Sequence, residues 1–205
     1  MKTAFAIVLF LAAPALAQAG ASRPGRLLVA PKLGLFEPTS RLGGAFYAGL
    51  EVGYAAPLLE HALAVVLEFD WYRPKASGAV ADPRLSSGAQ AADGSYQLGL
   101  AEFGVLLSAV YRAEDLVMPG LTPYGGLGPG LYSHRAAITA FGTTNIETET
   151  KLGLQLLGGI DWNLGPGAAF AEVRYHFARV DFLSTGNANT GGFLALGVGY
   201  RLRLF

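Results

Sequence analysis

The residues of this chain that could do chemistry are single charged side chains set between small or apolar residues. In a β-strand, alternate residues face the same side, so such charges would share one face. Away from bulk water they would have to form ion pairs, because an isolated buried charge is costly. The predicted roles are a structural ion-pair network or, alternatively, a gated passage. The set comprises Lys32, Glu51, Glu68, Asp70, Glu102, Lys151, Asp161, Glu172, Arg174, Arg201 and Arg203.

Serine and histidine residues raise a second chemistry, ester hydrolysis. A lipid hydrolase would need a Ser/His pair with an acidic partner. Ser133 and His134 are adjacent in a predicted strand and therefore point to opposite faces. No local motif groups them with Ser184 or Glu149, and His176 is expected to be a hydrogen-bonded interior residue. We expect a protein that is not an enzyme, with a lipid-modifying hydrolase as the least favoured alternative.

Composition excludes several functional classes. The chain has no cysteine, which excludes disulfides and thiolate metal sites. Lys plus Arg equals Asp plus Glu at 15 each, so nothing indicates nucleic acid. The glycine run at residues 125–130 follows no parallel-strand pattern, and no dense carboxylate cluster specifies calcium. We therefore expect no cofactor and no metal.

The first residues predict export. Lys2, an apolar run over residues 4–13 and the small-residue sequence ending at Ala17 have the order of a signal peptide. We expect residues 1–17 to be removed and residues 18–205 to form one domain. Charged residues are only 15% of the chain, below the usual share of roughly 25%, and the chain contains 28 glycines. This composition argues against a water-soluble surface.

The elements that must position the charges are β-strands. The pattern predicts a single antiparallel up-and-down transmembrane β-barrel of about eight strands. Between residues 95 and 112 the apolar alternation changes phase, and a β-bulge near Glu102 would reconcile it. Strands are predicted near residues 26–36, 43–55, 61–73, 95–112, 121–134, 151–164, 168–182 and 191–205.

The connections are predicted to differ between the two ends. With the amino terminus in the periplasm, residues 37–42, 74–94, 135–149 and 183–190 would form outer loops. The periplasmic connections, near Pro57 and at residues 114–120 and 165–167, are shorter on average. Long outer loops with short periplasmic turns are typical of membrane barrels.

Alternation alone also fits a soluble calyx with an apolar interior, so the two faces must be distinguished. Glycines interleave with the charges, and inside a narrow barrel a glycine makes room for a neighbouring large side chain. On a solvated strand it would only weaken the sheet. Aromatic residues near strand ends indicate interfacial girdles on the apolar face. These aromatics are Tyr54, Trp71, Trp162, Phe193 and Tyr200.

Three stretches resemble the small outer-membrane β-barrel family of the OmpA, OmpX and OmpW type: G-V-G-Y-R at residues 197–201, A-E-V-R-Y-H-F at 171–177 and P-Y-G-G-L-G-P-G at 123–130. In that family a terminal phenylalanine, with an aromatic two residues earlier, resembles the signal read by the barrel-assembly machinery. Phe205 ends this chain, with Tyr200 five residues before it and Arg203 at the expected aromatic position.

The resemblance implies location in the outer membrane of a Gram-negative bacterium, with outer-membrane lipid and the assembly machinery as partners. The main functional hypothesis is a structural or surface-interaction barrel with a charged, plugged interior and outer loops that meet an unknown extracellular partner. A narrow pore or carrier for small or apolar solutes is the runner-up. An outer-leaflet lipid-modifying enzyme is third.

Overall fold

The computed structural model describes residues 25–39, 43–80, 94–114, 116–140, 143–179 and 192–204. These residues form one closed, antiparallel β-barrel, in which the first strand pairs with the last and the third with the fifth. The strands are β1 (Arg26–Pro38), β2 (Ala45–Ala55), β3 (Leu63–Tyr72), β4 (Lys75–Val80), β5 (Gly94–Arg112), β6 (Leu121–Ala140), β7 (Thr143–Leu164), β8 (Gly167–Phe177) and β9 (Phe193–Leu204).

Strands β3 and β4 are two parts of one barrel strand. Both pair with β5 in a single register, since Leu63 lies opposite Tyr111 and Lys75 opposite Gly99. Pro74 interrupts the ladder because proline has no N–H to donate, while its carbonyl accepts a hydrogen bond from the Leu100 N–H at 3.0 Å. The barrel therefore has eight strands, which confirms the predicted fold class.

The two ends of the barrel are built differently. One end, here called the turn end, carries the connections β2–β3, β5–β6 and β7–β8, and β1 begins there opposite the end of β9. The β2–β3 connection contains a one-turn 3-10 helix, Leu58–His61. The β7–β8 connection is a tight turn in which Gly165 has a φ of 58°. The opposite end, here called the hairpin end, carries the remaining connections.

At the hairpin end the strands are longer than the sequence predicted. Residues 75–80 form β4, and β6 and β7 continue to Ala140 and from Thr143, so most of the predicted loop at 135–149 is strand. Threonine and isoleucine are β-branched and suit a pleated strand even in a polar segment, whereas polarity alone had indicated a loop. Residues 81–93 and 180–191, which include the last predicted outer loop, lie outside the described residues.

These extensions form a four-stranded protruding sheet, made of β4 and the hairpin-end parts of β5, β6 and β7. β6 and β7 remain paired up to Ala140 and Thr143. From Thr143 to Gly153, β7 pairs only with β6 among the described strands, because its pairing with β8 begins at Leu154. The protruding sheet is therefore part of the same continuous sheet as the barrel wall.

The predicted β-bulge at Glu102 is wrong. β5 keeps one register with β6 from Tyr96 to Arg112 and one alternation of buried and exposed residues along its described part. Leu98, Leu100 and Glu102 all point into the barrel. The alternation had seemed to change phase because apolar residues occupy both faces here, so hydrophobicity does not mark the lipid side.

The outer face of the wall is an apolar belt. Large side chains on the outward register are exposed on every part of the circumference, for example Phe46 at 83% and Leu152 at 78%. On β7 the belt runs from Leu152 to Trp162, which at about 3.3 Å per residue and a tilt near 40° spans roughly 25 Å along the membrane normal. Among the described residues, no helix is long and apolar enough to cross a bilayer.

Glycines on the inward register give the interior its space. A Cβ on Gly159 would meet the Tyr124 ring, and one on Gly199 would meet the Phe170 ring. The rings lie over the glycines, where any larger residue would collide with them. Gly125 and Gly158, which pair with each other on the outward register, have no such neighbour.

Two glycines of β6 test this steric requirement. A Cβ at inward Gly128 would lie 2.7 Å from the Ser108 Cα, whereas at outward Gly125 the nearest atom would be the Leu157 carbonyl oxygen at 3.7 Å. We expect Gly128→Ala to lower the free energy of unfolding by about 1–3 kcal/mol. Gly125→Ala should be neutral or raise it by about 0.5 kcal/mol.

The measurement is urea unfolding of the protein folded in lipid vesicles, with both variants at the same lipid ratio. Equal losses of stability for the two variants would contradict the assignment of the inward face.

Candidate functional site

The middle of the barrel interior holds an ion-pair network centred on Lys32. The Lys32 ammonium forms an ion pair with Glu68 and lies 3.5 Å from carboxylate oxygens of Glu51 and Glu172 and 3.6 Å from Asp70. These residues come from β1, β2, β3 and β8, and all are buried. The network therefore ties together strands that are distant in sequence.

Arg174 of β8 forms the second hub. Its guanidinium donates to Glu172 (Nε to Oε1, 2.8 Å), to Gln155 (2.9 Å) and to Glu51 (3.0 Å), and it also pairs with Glu68. The planar guanidinium has five donors, which suits it to several acceptors at once. Because these acceptors come from β2, β3, β7 and β8, Arg174 links opposite walls of the barrel.

Arg201 extends the network towards the turn end. Its Nη2 donates to Glu51 Oε2 at 2.9 Å and its Nη1 to Asp161. Arg112 pairs with the other oxygen of Asp161, and the Arg201 guanidinium lies 4.3 Å from the centre of the Phe170 ring. Among the described residues, the connected carboxylates number five and the cations four: Glu51, Glu68, Asp70, Asp161 and Glu172, with Lys32, Arg112, Arg174 and Arg201.

A separate polar group lies nearer the hairpin end. His134 Nδ1 is 2.6 Å from Glu102 Oε2, and both side chains are fully buried. Beside them the Tyr132 hydroxyl is 3.0 Å from His176 Nδ1. The predicted interior histidine therefore has a tyrosine as its partner, and Glu102 has a histidine rather than a member of the central network.

Aromatic and aliphatic side chains cover this group at the hairpin end. The Phe36 ring stacks on Tyr72 with centroids 3.8 Å apart and packs against Phe193 at 4.7 Å. The predicted outward position of Phe193 is therefore wrong. Phe193 precedes the outward Leu194 and so belongs to the inward register, and it is fully buried. The cluster comprises Phe36, Tyr47, Tyr72, Leu98, Leu100, Leu106, Tyr132, Ala136, Ala178, Phe193 and Ala195.

Two predicted interior charges lie apart from the network. Lys151 is on the inward register, but its side chain is 30% exposed and pairs with Glu149 at 2.9 Å. Arg203 is half-buried near the turn end and has no ion pair among the described residues. Both sit close to a barrel mouth, where a charged side chain stays partly exposed and is not enclosed by the central network.

The other predicted aromatics face outward near the limits of the belt. Tyr54, Trp71 and Trp162 are exposed. Tyr200 is half-buried, and its hydroxyl donates to the Leu164 carbonyl at 2.5 Å. Phe205, the proposed terminal part of the assembly signal, lies outside the described residues.

The residues considered for hydrolysis are spread over both faces. Ser133 faces outward and accepts a hydrogen bond from Thr150 at 3.4 Å, whereas His134 faces inward. Glu149 is engaged by Lys151, and Ser184 lies outside the described residues. His134 and Glu149 lie opposite each other on β6 and β7 on the inward face, but Ser133 lies on the other face of the wall. Among the described residues, these candidates therefore do not form a Ser/His/acid group.

Sequence reasoning missed several members of the interior. Arg112 completes the pairing of Asp161, and Gln155 bridges Arg174 to the Ser108 hydroxyl, to which it donates at 2.6 Å. Tyr124 donates to Glu172 at 3.1 Å. The available signal was the register, because Arg112 and Ser108 lie an even number of positions from Glu102 and therefore face the same side.

The closed sheet, the apolar belt and the polar interior define a transmembrane β-barrel with the fold of small outer-membrane proteins. Neisserial surface protein A has a similar structure, with a TM-score of 0.56 and 19% identity over 88% of this chain and 99% of that one. A major outer membrane protein from Thermus thermophilus has a TM-score of 0.57 and 15% identity, covering 89% and 100% of the chains. No protein-family model and no curated protein sequence matches the chain.

The network predicts a large penalty for removing one hub. Arg174→Met would leave Glu51, Glu68 and Glu172 with fewer partners in a site closed to water. We expect the free energy of unfolding to fall by about 3–5 kcal/mol. Lys151→Met, which removes the same charge from a partly exposed pair, should cost no more than about 1 kcal/mol.

Urea unfolding in vesicles measures the free energy of unfolding of both variants. Adding Glu68→Gln to Arg174→Met should restore part of the stability that Arg174→Met loses. Equal effects of Arg174→Met and Lys151→Met would show that the central network contributes no more than a surface pair.

Proposed function

We propose that this chain is an outer-membrane barrel whose interior is a structural plug and whose protruding sheet is the part that meets other molecules. The observation that carries this proposal is the layered interior. From the hairpin end, the aromatic cluster is followed by the ion-pair network and then by an apolar group at the turn end. That last group comprises Leu28, Ala55, Ala64, Val66, Val110, Tyr124 and Leu157.

The layers support a plug because each is tied to several strands. An eight-stranded barrel encloses a space that side chains can fill. Here Lys32, Arg174 and Arg201 span it with contacts to β2, β3, β7 and β8. An ion crossing the barrel would have to break several ion pairs together and also part the rings of Phe36, Tyr72 and Phe193. We therefore rank a surface role above a pore.

The surface role is supported by the protruding sheet. Its polar strands continue well beyond the apolar belt on the side opposite both described chain termini. With the amino terminus in the periplasm, this side is the cell exterior. Membrane barrels with long outer segments commonly use them for contact with the surroundings, and one structural neighbour is named as a surface protein.

A narrow pore or carrier is the second candidate. It is favoured by one observation, the many polar side chains that line the interior from Asp161 to Asp70. Enzymatic activity is the least favoured candidate, because Ser133 and His134 lie on opposite faces of the wall.

Ion conductance separates the plug from the pore. We expect no stepwise current from the wild-type protein in a planar lipid bilayer, because the three layers block the axis. Heat-modifiable migration in gels checks that each preparation is folded. Current steps in the wild type that change in size with Glu68→Gln or Arg174→Gln would overturn the plug and favour the pore.

Site-specific photocrosslinking in intact cells tests the surface role. A crosslinker at Thr148, on the protruding sheet, should attach to an extracellular macromolecule, whereas one at Gly165, in the turn at the other end, should not. Replacing residues 138–145 with a two-residue turn should remove the crosslinks that form next to this segment. Identical crosslinks from Thr148 and Gly165 would contradict the proposed orientation.

A further inference from the structure

Three outward cations lie at the base of the protruding sheet, on two strands that are separated by β5. Arg73 follows β3, Lys75 begins β4 and Arg135 lies on β6, and all three are exposed. Their sequence neighbours Tyr72, Pro74 and Ala136 are buried, which fixes the outward direction of the three cations. We call this group, with the small residues between them, the cationic cradle.

Small residues form the floor of the cradle. Gly99 pairs with Lys75 on one side and with Ala137 on the other, and Ala101 pairs with Arg135. A Cβ on Gly99 would meet no atom within 4 Å, so the space above it is open. A groove of about 410 Å³ extends from Lys75 and Gly99 towards the hairpin end, so that Lys75 borders it while Arg73 and Arg135 lie one row further towards the belt.

The spacing suits a phosphate group. Arg73 and Arg135 are separated by one intervening strand, so their backbones are roughly 10 Å apart, and Lys75 is two residues from Arg73 on the same side. Arginine and lysine side chains of this length can converge on an anion between them, and Arg is well matched to phosphate oxygens. Hydroxyl and amide groups of Ser77, Gln97 and Thr139 border the same groove.

In the part of the chain that the structure describes, no carboxylate lies on the outward positions of the protruding sheet, and the nearest outward one, Glu37 on β1, is separated from Lys75 by Gly44. Among the described residues, the outward positions of the protruding sheet are serine, threonine, glutamine, alanine, glycine and isoleucine, besides the two cations Lys75 and Arg135. Glu147 and Glu149 lie on the inward register of β7. In a chain whose total charge is balanced, the described part of this face is therefore locally positive.

The cradle also lies at the boundary of the apolar belt. Trp71 and Phe103 pair with each other directly beside it, and both are exposed. The Arg73 guanidinium stacks over the Trp71 ring at 4.7 Å. Aromatic rings mark the level of lipid headgroups in membrane barrels. An anion bound in the cradle would thus sit at headgroup level, with Phe69 and Val105 continuing the apolar wall below it.

From these observations we infer that the cradle binds the anionic phosphorylated headgroup of a membrane lipid, whose acyl chains lie along the adjoining outer wall. This inference depends on the membrane placement of the belt and not on the plug or on an extracellular partner. A lipid explains both halves of the surface, because the charged groove and the apolar wall are continuous on β3, β4 and β5.

The two tryptophans allow a direct test. Trp71 lies beside the cradle and Trp162 near the turn end of the belt, so Trp162→Phe leaves a reporter at the cradle and Trp71→Phe leaves one remote from it. Each protein is folded into phosphatidylcholine vesicles that contain brominated phosphatidic acid or brominated phosphatidylcholine. Quenching of tryptophan fluorescence then gives the relative affinity of the two lipids at each site.

We expect the Trp71 reporter to prefer phosphatidic acid by at least about fivefold, which is the contribution of one interfacial cation. The Trp162 reporter should show no preference. Combined Arg73→Gln, Lys75→Gln and Arg135→Gln substitutions should abolish the preference while quenching by phosphatidylcholine stays unchanged. Lys151→Gln removes one charge from the inward side of β7 and should leave the preference intact.

Three results would overturn the inference. The first is equal quenching of Trp71 by both lipids, and the second is a preference that survives loss of all three cations. The third is removal of the preference by inorganic phosphate but not by sodium chloride of the same ionic strength, which would assign the cradle to a soluble anion. Arg135→Gln alone, which leaves the Arg73 stacking on Trp71 in place, should weaken the preference and guards against a misfolded triple variant.

Discussion

Pairing of buried charge is the constraint on which this barrel depends. A charge placed inside a narrow wall of strands has little water around it, so its cost is offset only by partners of opposite sign. Lys32, Glu51 and Arg174 meet this requirement through contacts that reach across the interior. The same contacts fix which residues of distant strands must face each other, and so they bear on register as well as on stability.

Glycine on the inward register is the complement of that pairing. Long side chains and rings fit into the interior only where a neighbouring strand carries glycine. Gly159 provides this space for Tyr124, and Gly199 provides it for Phe170. The outward register has no such requirement and is filled with large apolar residues. The two faces of the wall thus suit different environments, because the period-two alternation places charged side chains on the inner face and apolar side chains on the outer face.

The sequence predicted the barrel, its strand count and most of the central network because strict alternation identifies a two-sided wall. The prediction failed where the two faces of a strand do not differ in polarity. On β5 apolar residues occupy both faces, so Leu98 and Leu100 could not be assigned inward, and Phe193 was placed by its aromatic type instead of its register. Arg112 was missed although its parity matched Glu102. Partners across the interior, such as Glu68 on β3 for Arg174 on β8, depend on barrel closure, which no local pattern records.

The central claim is that the apolar register faces hydrocarbon and the charged register faces the interior. The chain contains no cysteine, so single cysteines can be introduced along β7 from Leu152 to Trp162 and spin-labelled without background. Accessibility to molecular oxygen, measured by electron paramagnetic resonance in lipid vesicles, should alternate with period two and peak at Leu154, Leu156 and Ile160. Peaks at Gln155 and Asp161, or no alternation, would contradict the account.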